Sequence, residues 1–378
     1  MNKKIFLTLC LPIFMGRAAF AQPYKTNLDI RIPFLSQPVM IDGKPTLYYE
    51  LNITNFGSDT IRLKTLRISD PVDNTTLALF DNAALKTRFN RVGPPVKDNS
   101  PNLPGGSTGI LYMDLVVKKG RPLAHQFKFE TSGHVDSTDS VTIGQVNLLP
   151  APPLILAAPL GNGKWAAIYD PVWRNGHRRV IYTVNGHAGI PGRYAIDFMQ
   201  LDNQGKLSNG NDDVVKEWYG YGADVLAVAD GVIASQRDDF PETSTVSGRE
   251  RVKPERATGN YISLKIGEGK YVFYEHLKPG SIRVKQGQKV KKGQVIASLG
   301  FTGQSEGPHL HFHVANTNSP LGAEGLPFSF EHFTYLGKYT EIDKLGKSPW
   351  APAAPSDDKQ RFKERPSPNS VISFSSRQ

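Results

Sequence analysis

The chain has 378 residues, of which 39% are hydrophobic and 21% are charged, and its formal net charge is +10. This is an ordinary globular composition, and the length is too great for a single modest core, so we expect two folded domains. The only cysteine, Cys10, lies in a segment that we expect to be removed. The mature chain therefore excludes disulfide bonds, thiolate metal sites and a cysteine nucleophile.

Residues 1–21 have the pattern of a secretory signal peptide. Lys3 and Lys4 form a charged start, the apolar stretch 5–15 follows, and residues 19–21 form a small-residue cleavage pattern. The apolar stretch is shorter than the roughly 20 residues that span a bilayer. We therefore expect an exported protein, periplasmic or extracellular, with no transmembrane span in the mature chain.

The mature chain stays basic after this cleavage. Removal of Lys3, Lys4 and Arg17, with no acidic residue, lowers the net charge by three, from +10 to +7. A basic surface attracts polyanions, and outside the cytoplasm these are wall polymers, anionic lipid or polysaccharide more often than nucleic acid. We therefore expect anionic envelope polymers as candidate partners, and no nucleic acid.

Residues 22–150 predict an antiparallel β-sandwich that acts as an accessory domain. Alternate residues from Leu47 to Ile53 are apolar and their neighbours are mostly polar, which predicts a strand with one buried face. Similar short runs, separated by turn residues, recur at 60–67, 109–117, 126–131 and 141–148. His125 and His134 are isolated, so we expect structural or surface histidines here and a positioning or binding module.

The rest of the chain divides into three parts. Pro and Gly interrupt both regular periods in residues 151–165, which we interpret as a linker. Residues 166–335 form a second β-rich domain that holds seven of the nine histidines. Residues 336–378 have little apolar content, so a mostly disordered basic tail is expected.

The strongest indication of chemistry is the run from Gly307 to Val314. Side chains two apart on a strand share a face, so His309, His311 and His313 should line one side while the apolar residues between them pack behind. Such neighbours are roughly 6.5 Å apart along the strand. This spacing suits one histidine that binds a metal and another that addresses the water bound to it.

Two further segments carry candidate site residues. The strand-like run 271–277 should place His276 on the same face as Val272 and Tyr274. Asp197 lies among apolar neighbours in the run 193–198, and a carboxylate in such company usually has a cation or a metal as its partner. A nearby arginine or lysine could also satisfy that carboxylate.

Together these segments resemble the LytM/lysostaphin-like zinc endopeptidases. The resemblance spans roughly residues 176–314 and is most specific in Ser-Glu-Gly-Pro-His-Leu-His-Phe at 305–312, while 222–232 and 284–295 look like core hairpins of that family. It implies an all-β fold, in which the sandwich precedes a β-sheet, barrel-sandwich-hybrid-like metallopeptidase domain. It also implies a Zn²⁺ cofactor and hydrolysis of peptide bonds in peptidoglycan cross-links.

The resemblance implies a role for each matching residue. Asp197 and His311 correspond to zinc ligands, and His309 corresponds to the general base. His276 corresponds to the histidine that orients the water and stabilises the developing oxyanion. The family's other ligand is a histidine four residues before the aspartate, but this chain has Arg193 there, and a guanidinium cannot ligate zinc.

Another histidine must fill that position, or the site is degenerate. We favour His177, because a related branch of the family carries a similar Gly-His-Arg-Arg segment upstream of its aspartate strand. Pairing of residues 180–184 with 192–198 would return it to Asp197. His187, expected at the far tip of that hairpin, is the alternative, and a site without a third ligand remains open.

Other readings of the sequence compete with an active zinc peptidase. Gly303–Gly307 matches the Gly-x-Ser-x-Gly elbow of serine hydrolases, but that elbow needs a following helix and a strand is predicted. A catalytically degenerate relative that binds the wall or activates an amidase remains open, as does a module that binds anionic polymers through the sandwich. His313 replaces an acid of the family pattern, and we expect at most support of a neighbouring ligand from it.

Overall fold

The computed structural model describes residues 26–94, 100–118, 120–132, 138–148 and 153–374. The expected signal peptide, its cleavage site and His134 lie outside these ranges. Within them, no helix has both the length and the apolar character needed to cross a membrane.

Two antiparallel sheets form the first domain. Their strands are β1 (Leu28–Arg31), β2 (Val39–Ile41), β3 (Lys44–Asn55), β4 (Ile61–Ser69), β5 (Thr76–Phe80), β6 (Phe89–Arg91), β7 (Asn102–Leu103), β8 (Thr108–Val116), β9 (Leu123–Thr131) and β10 (Thr138–Val146), and the helix α1 (Asn82–Arg88) lies between β5 and β6. One sheet has the order β1-β3-β8-β6 with β2 paired to β3, and the other has the order β10-β9-β4-β5 with β7 paired to β4. The predicted antiparallel sandwich is confirmed.

The alternation in β3 decides where the core of the sandwich lies. Leu47, Tyr49 and Leu51 point into the apolar layer between the two sheets. The opposite face is also buried, because Tyr48 is 2% and Glu50 is 0% exposed. The prediction of a single buried face is therefore wrong, and the reason is that the second domain docks on the other side of the strand.

The second domain consists of one large open sheet and two small sheets. Its strands are β11 (Leu154–Leu156), β12 (Lys164–Ile168), β13 (Tyr182–Val184), β14 (His187–Gly189), β15 (Ile196–Leu201), β16 (Asp224–Leu226), β17 (Gly231–Arg237), β18 (Tyr261–Gly267), β19 (Lys270–Glu275), β20 (Lys289–Val290), β21 (Val295–Ser298), β22 (Leu310–Ala315), β23 (Phe328–Lys338), β24 (Ala351–Pro352), β25 (Gln360–Glu364) and β26 (Ser370–Ser373). Five short 3-10 helices are described, at His177–Arg179, Pro191–Tyr194, Val215–Glu217, Pro254–Arg256 and Ile342–Lys344.

The order of the large sheet is β11-β23-β26-β12-β15-β22-β19-β18-β17-β20, with β24 and β25 paired to β23. Two small sheets, β13-β14 and β16-β21, complete the domain. The all-β prediction is confirmed, and the described sheets stay open instead of closing into a barrel. Leu310, Phe312 and Val314 of β22 are fully buried in the core, as the alternation around the three histidines predicted.

Residues 154–165 are not a free linker. Strand β11 pairs in parallel with β23, and Leu156 and Leu160 lie in the main core of the second domain. The proline and glycine residues do interrupt regular structure here. The leucines between them nevertheless bury enough apolar surface to fix the segment against the sheet.

The expectation of a mostly disordered tail at 336–378 is wrong for the described part. Strand β26 lies between β12 and β23 and pairs with both, and Val371 and Ile372 are fully buried. The segment has too few apolar residues to fold alone. It is ordered here because the two flanking strands, β12 and β23, supply backbone hydrogen bonds and an existing core.

His125 gives the sandwich a predictable dependence on pH. Its Nε2 lies 2.7 Å from the Tyr49 hydroxyl, and burial lowers its pKa from 6.5 to about 4. The unfolded chain therefore takes up a proton first as the pH falls. We expect stability to be complete above about pH 6.5 and to fall by ~3 kcal/mol as the pH approaches 4.

The measurement is urea unfolding at pH 7 and pH 4.5, monitored through a signal that reports on the sandwich domain. The variant His125→Gln keeps a polar partner for Tyr49 but has no titrating ring. Its free energy of unfolding should fall less between the two pH values than that of the wild type. An equal fall in both proteins would contradict the role given to His125.

Candidate metal and catalytic site

Asp197 and His311 meet because their strands are neighbours. Strands β15 and β22 pair antiparallel, and the two residues stand directly opposite each other in the register. The His311 Nδ1 atom lies 2.8 Å from Asp197 Oδ1. Their neighbours Ile196 and Phe312 point into the core, so the alternation of each strand turns the carboxylate and the imidazole out of it.

His177 approaches the same carboxylate from outside the sheet. It begins the 3-10 helix His177–Arg179, its Nε2 lies 3.1 Å from Asp197 Oδ2, and its ring meets the edge of the His311 ring at 4.7 Å. One candidate ligand atom from each of these three residues lies within 4.8 Å of the others. Two imidazoles and one carboxylate are the donors of a catalytic zinc site with an open fourth position.

His177 does not reach this place by the hairpin expected from the sequence. Strand β13 pairs with β14, not with residues 192–198, because Asn185 and Gly186 adopt φ values of 51° and 79° and form a two-residue turn. Instead, His177 packs against Gly192, where an added Cβ would lie 2.8 Å from the His177 Cβ. Only glycine leaves room for that contact.

The other candidates for the third ligand lie elsewhere. His187 is exposed in β14 and joins none of the possible metal groups found among the described residues. Arg193 is buried, with Nε 2.8 Å from Glu50 Oε2 and Nη1 2.6 Å from Glu324 Oε2. Arg193 is thus held by two other carboxylates, and the neighbour of Asp197 at this corner is His177.

His309 and His276 form the other side of the site. The Nδ1 atom of His309 lies 2.8 Å from the Gly307 carbonyl oxygen, and its Nε2 atom lies 3.5 Å from Asp197 Oδ1. The His276 and His309 ring centroids are 4.7 Å apart. His276, His309 and His311 therefore form a second group with ligand-type atoms within 4.8 Å of one another.

His276 leaves the strand on which it was expected to lie. Val272 and Tyr274 point into the core, but β19 ends at Glu275 and His276 has a φ of 62°. This left-handed conformation turns its ring toward the other histidines. The Nδ1 atom donates a hydrogen bond to the Thr302 carbonyl at 2.8 Å, which fixes the ring and its tautomer.

The electrostatics of the site keep Asp197 ionised. Burial alone would raise its pKa, but His177 and His309 outweigh burial and hold the pKa of Asp197 well below its usual range. Burial lowers the pKa of His276 strongly, and the neighbouring His309 and His311 add to this. Burial opposes protonation of His309 too, but Asp197 outweighs it and raises the pKa of His309.

Sequence reasoning missed Glu275. It stands opposite His311 in the β19–β22 register, and with His311 and His313 it forms a third group of close polar atoms. The His313 ring stacks on Phe273 at 4.8 Å. Burial raises the pKa of Glu275 well above its usual value, and its position next to His276 in the sequence was the available signal.

The site opens into a groove of about 820 Å³. Its walls combine apolar side chains such as Trp173, Tyr182 and Met199 with polar ones such as Gln304. Ser305 does not act as the nucleophile of an elbow there, since its hydroxyl donates to the Gly307 carbonyl and the segment continues into a strand. The serine hydrolase reading is thereby excluded.

Part of the second domain is similar to known proteins. Residues 217–322 match the model of Peptidase family M23. The peptidoglycan DD-endopeptidase ShyB of Vibrio cholerae is 39% identical over 94 residues, which cover 23% of this chain and 22% of that protein. The DD-carboxypeptidase/endopeptidase Mpg of Neisseria meningitidis is 30% identical over 117 residues, covering 31% of this chain and 23% of that protein.

The chain thus matches about a fifth of the length of these relatives. Among solved structures, a zinc containing peptidase from Vibrio cholerae aligns with 76% of this chain and 85% of its own, at 15% identity and a TM-score of 0.27. The catalytic domain of lysostaphin from Staphylococcus simulans covers 44% of this chain and 88% of its own, at 24% identity and a TM-score of 0.24. The family match includes His276, His309 and His311, while His177 and Asp197 precede it. The predicted resemblance to the LytM/lysostaphin-like peptidases is confirmed, and residues 217–322 are the part that matches peptidase family M23.

Proposed function

We propose that this chain is an exported zinc-dependent endopeptidase that hydrolyses peptide bonds in peptidoglycan cross-links. The observation that carries the proposal is the convergence of His177, Asp197 and His311 beside His309 and His276 in one groove. The substrate class is supported by the relatives named as peptidoglycan DD-endopeptidases. The expected signal peptide supports a periplasmic or extracellular location.

The donor set fits zinc. Metal ligands must be deprotonated, and here the low pKa of Asp197 keeps its carboxylate charged while burial lowers the pKa of His311. His177, Asp197 and His311 would hold the ion, which leaves His309 and His276 free for other roles. When bound, zinc supplies Lewis acidity that makes a water molecule nucleophilic near neutral pH and polarises a carbonyl group.

His309 is the proposed general base. Its Nδ1 atom donates a hydrogen bond to the Gly307 carbonyl. The Nε2 atom, which faces the proposed ligand Asp197, is therefore the one that can accept a proton. The contact with Gly307 also fixes the ring orientation. Asp197 raises the pKa of His309, which increases its affinity for the transferred proton.

His276 is proposed to orient the water or the substrate. Its Nδ1 proton is donated to Thr302, so Nε2 of the neutral ring accepts hydrogen bonds. Donation to an oxyanion would require protonation of Nε2, which burial opposes because it lowers the pKa of His276. This proton arrangement favours the orienting role over the oxyanion-stabilising role that the resemblance implies.

The test combines metal analysis with hydrolysis. Mature protein purified without added metal should contain close to one zinc per chain and release peptide fragments from purified peptidoglycan. A chelator should stop the release, and added zinc should restore it. Peptidoglycan binding without metal or hydrolysis would replace the proposal with a degenerate wall-binding or amidase-activating protein. Binding only to anionic polymers through the first domain would favour a polymer-binding module.

A further inference from the structure

Two arginines beside His177 converge on one carboxylate of the first domain. Arg178 Nε lies 2.7 Å from Glu50 Oε1, and Arg193 Nε lies 2.8 Å from Glu50 Oε2. All three side chains are almost completely buried. Glu50 is on the face of β3 that the second domain covers, so this contact joins the two domains.

Both arginines are held firmly by further groups. Arg178 donates through Nη2 to the backbone carbonyls of Tyr49 at 2.6 Å and Met113 at 2.8 Å, on the paired strands β3 and β8. Arg193 forms its second ion pair with Glu324. The cluster thus balances two positive with two negative charges, and loss of either carboxylate would leave a buried guanidinium charge uncompensated.

The backbone links this cluster directly to the metal site. Arg178 follows His177 in the same 3-10 helix. Arg193 follows Gly192, and Gly192 packs against the Cβ and carbonyl of His177. Glu50 therefore holds both segments that determine where the His177 ring lies. By contrast, the pairing of β15 with β22 holds Asp197 and His311.

We propose that Glu50 is a positioning residue for the metal site, through which the first domain holds His177 against Asp197 and His311. This inference rests on the proposed zinc site. It also gives Arg193 a function at a position where the family pattern has a histidine. The arginine anchors the neighbouring segment to Glu50, and the histidine comes from the adjacent 3-10 helix.

The experiment measures metal binding by the full-length mature protein. Glu50→Gln keeps the shape of the side chain and removes its charge. We expect the zinc affinity, measured by competition with a chromophoric chelator, to fall at least tenfold. The absorption spectrum of the Co²⁺-loaded protein should also change, because it reports the number and geometry of the ligands. The loss of zinc affinity caused by His177→Ala should be smaller in the Glu50→Gln background than in the wild-type background.

Val39→Ala is the matched control. Val39 is a buried apolar residue of β2 that packs in the core of the second domain, so its truncation weakens the same interface without touching the charges. Its thermal midpoint should fall, while zinc affinity and the Co²⁺ spectrum stay at wild-type values. An equal loss of zinc affinity in Val39→Ala would overturn the specific role of Glu50.

A second variant keeps the test decisive if Glu50→Gln does not fold. Arg178→Lys retains a positive charge opposite Glu50 but loses the fork that reaches the two carbonyls, and it should weaken zinc binding to a smaller extent. Wild-type affinity and an unchanged Co²⁺ spectrum in a folded Glu50→Gln or Arg178→Lys protein would overturn the inference. Absence of zinc binding in the wild type itself would instead reject the proposed function.

Discussion

Replacement of His177 by alanine should leave a folded protein that neither retains zinc nor hydrolyses peptidoglycan. The side chain is partly exposed, so its removal creates no buried cavity, but it deletes one of three proposed ligands. The loss of zinc affinity should exceed the roughly 10–100-fold effect of deleting a hydrogen-bond partner of a ligand. Zinc per chain after dialysis, together with release of peptide fragments, measures the effect.

His187→Ala is the matched control for this experiment. His187 lies ten residues further along the chain and is exposed in β14, so its loss should change neither zinc content nor hydrolysis. If His177→Ala retained a full equivalent of zinc and His187→Ala lost it, the alternative ligand would be correct. Retention of zinc by both variants would mean that neither histidine is a ligand, and that the ion is held by Asp197 and His311 alone or by His276, His309 and His311.

Replacement of His309 by glutamine should separate metal binding from catalysis. Glutamine preserves a polar side chain of similar reach but cannot accept a proton, and loss of a general base typically costs about 10²–10⁴ in rate. We expect zinc content to remain at the wild-type level and kcat to fall by that factor, with a much smaller change in KM. Steady-state hydrolysis of a peptidoglycan fragment and metal analysis of the same sample measure both quantities.

The result also decides between two possible positions of the ion. His276, His309 and His311 form a second group of convergent nitrogens. Loss of zinc from His309→Gln would mean that the ion occupies this group and that His309 is a ligand. Full zinc with wild-type kcat would remove His309 from the mechanism.

Local patterns predicted the parts of the site that depend on local geometry. The alternation from His309 to Val314 fixes which side chains share a strand face, whatever the rest of the fold does. The same reasoning failed for His276, because alternation holds only while the backbone stays extended and this residue adopts a positive φ. A left-handed residue after a strand leaves no periodic signal in the sequence.

Features that depend on distant docking could not be predicted. Glu50 and Arg178 are 128 residues apart, and the polar residues on one face of β3 look the same in sequence whether water or another domain covers them. Likewise, the hairpin prediction around Asn185 had the right turn residues but the wrong partner strand. Turn chemistry specifies a local reversal, while tertiary packing chooses how far the pairing continues.

The place of β26 in the large sheet makes the scaffold beside Asp197 depend on a segment far along the chain. Strand β12 lies beside the strand of Asp197, and β26 joins β12 to β23. Until residues 370–373 are in place, the sheet consists of two pieces with an unfilled gap between β12 and β23. A chain interrupted before these residues lacks the strand that joins β12 to β23, so we expect it to leave the scaffold beside Asp197 incomplete.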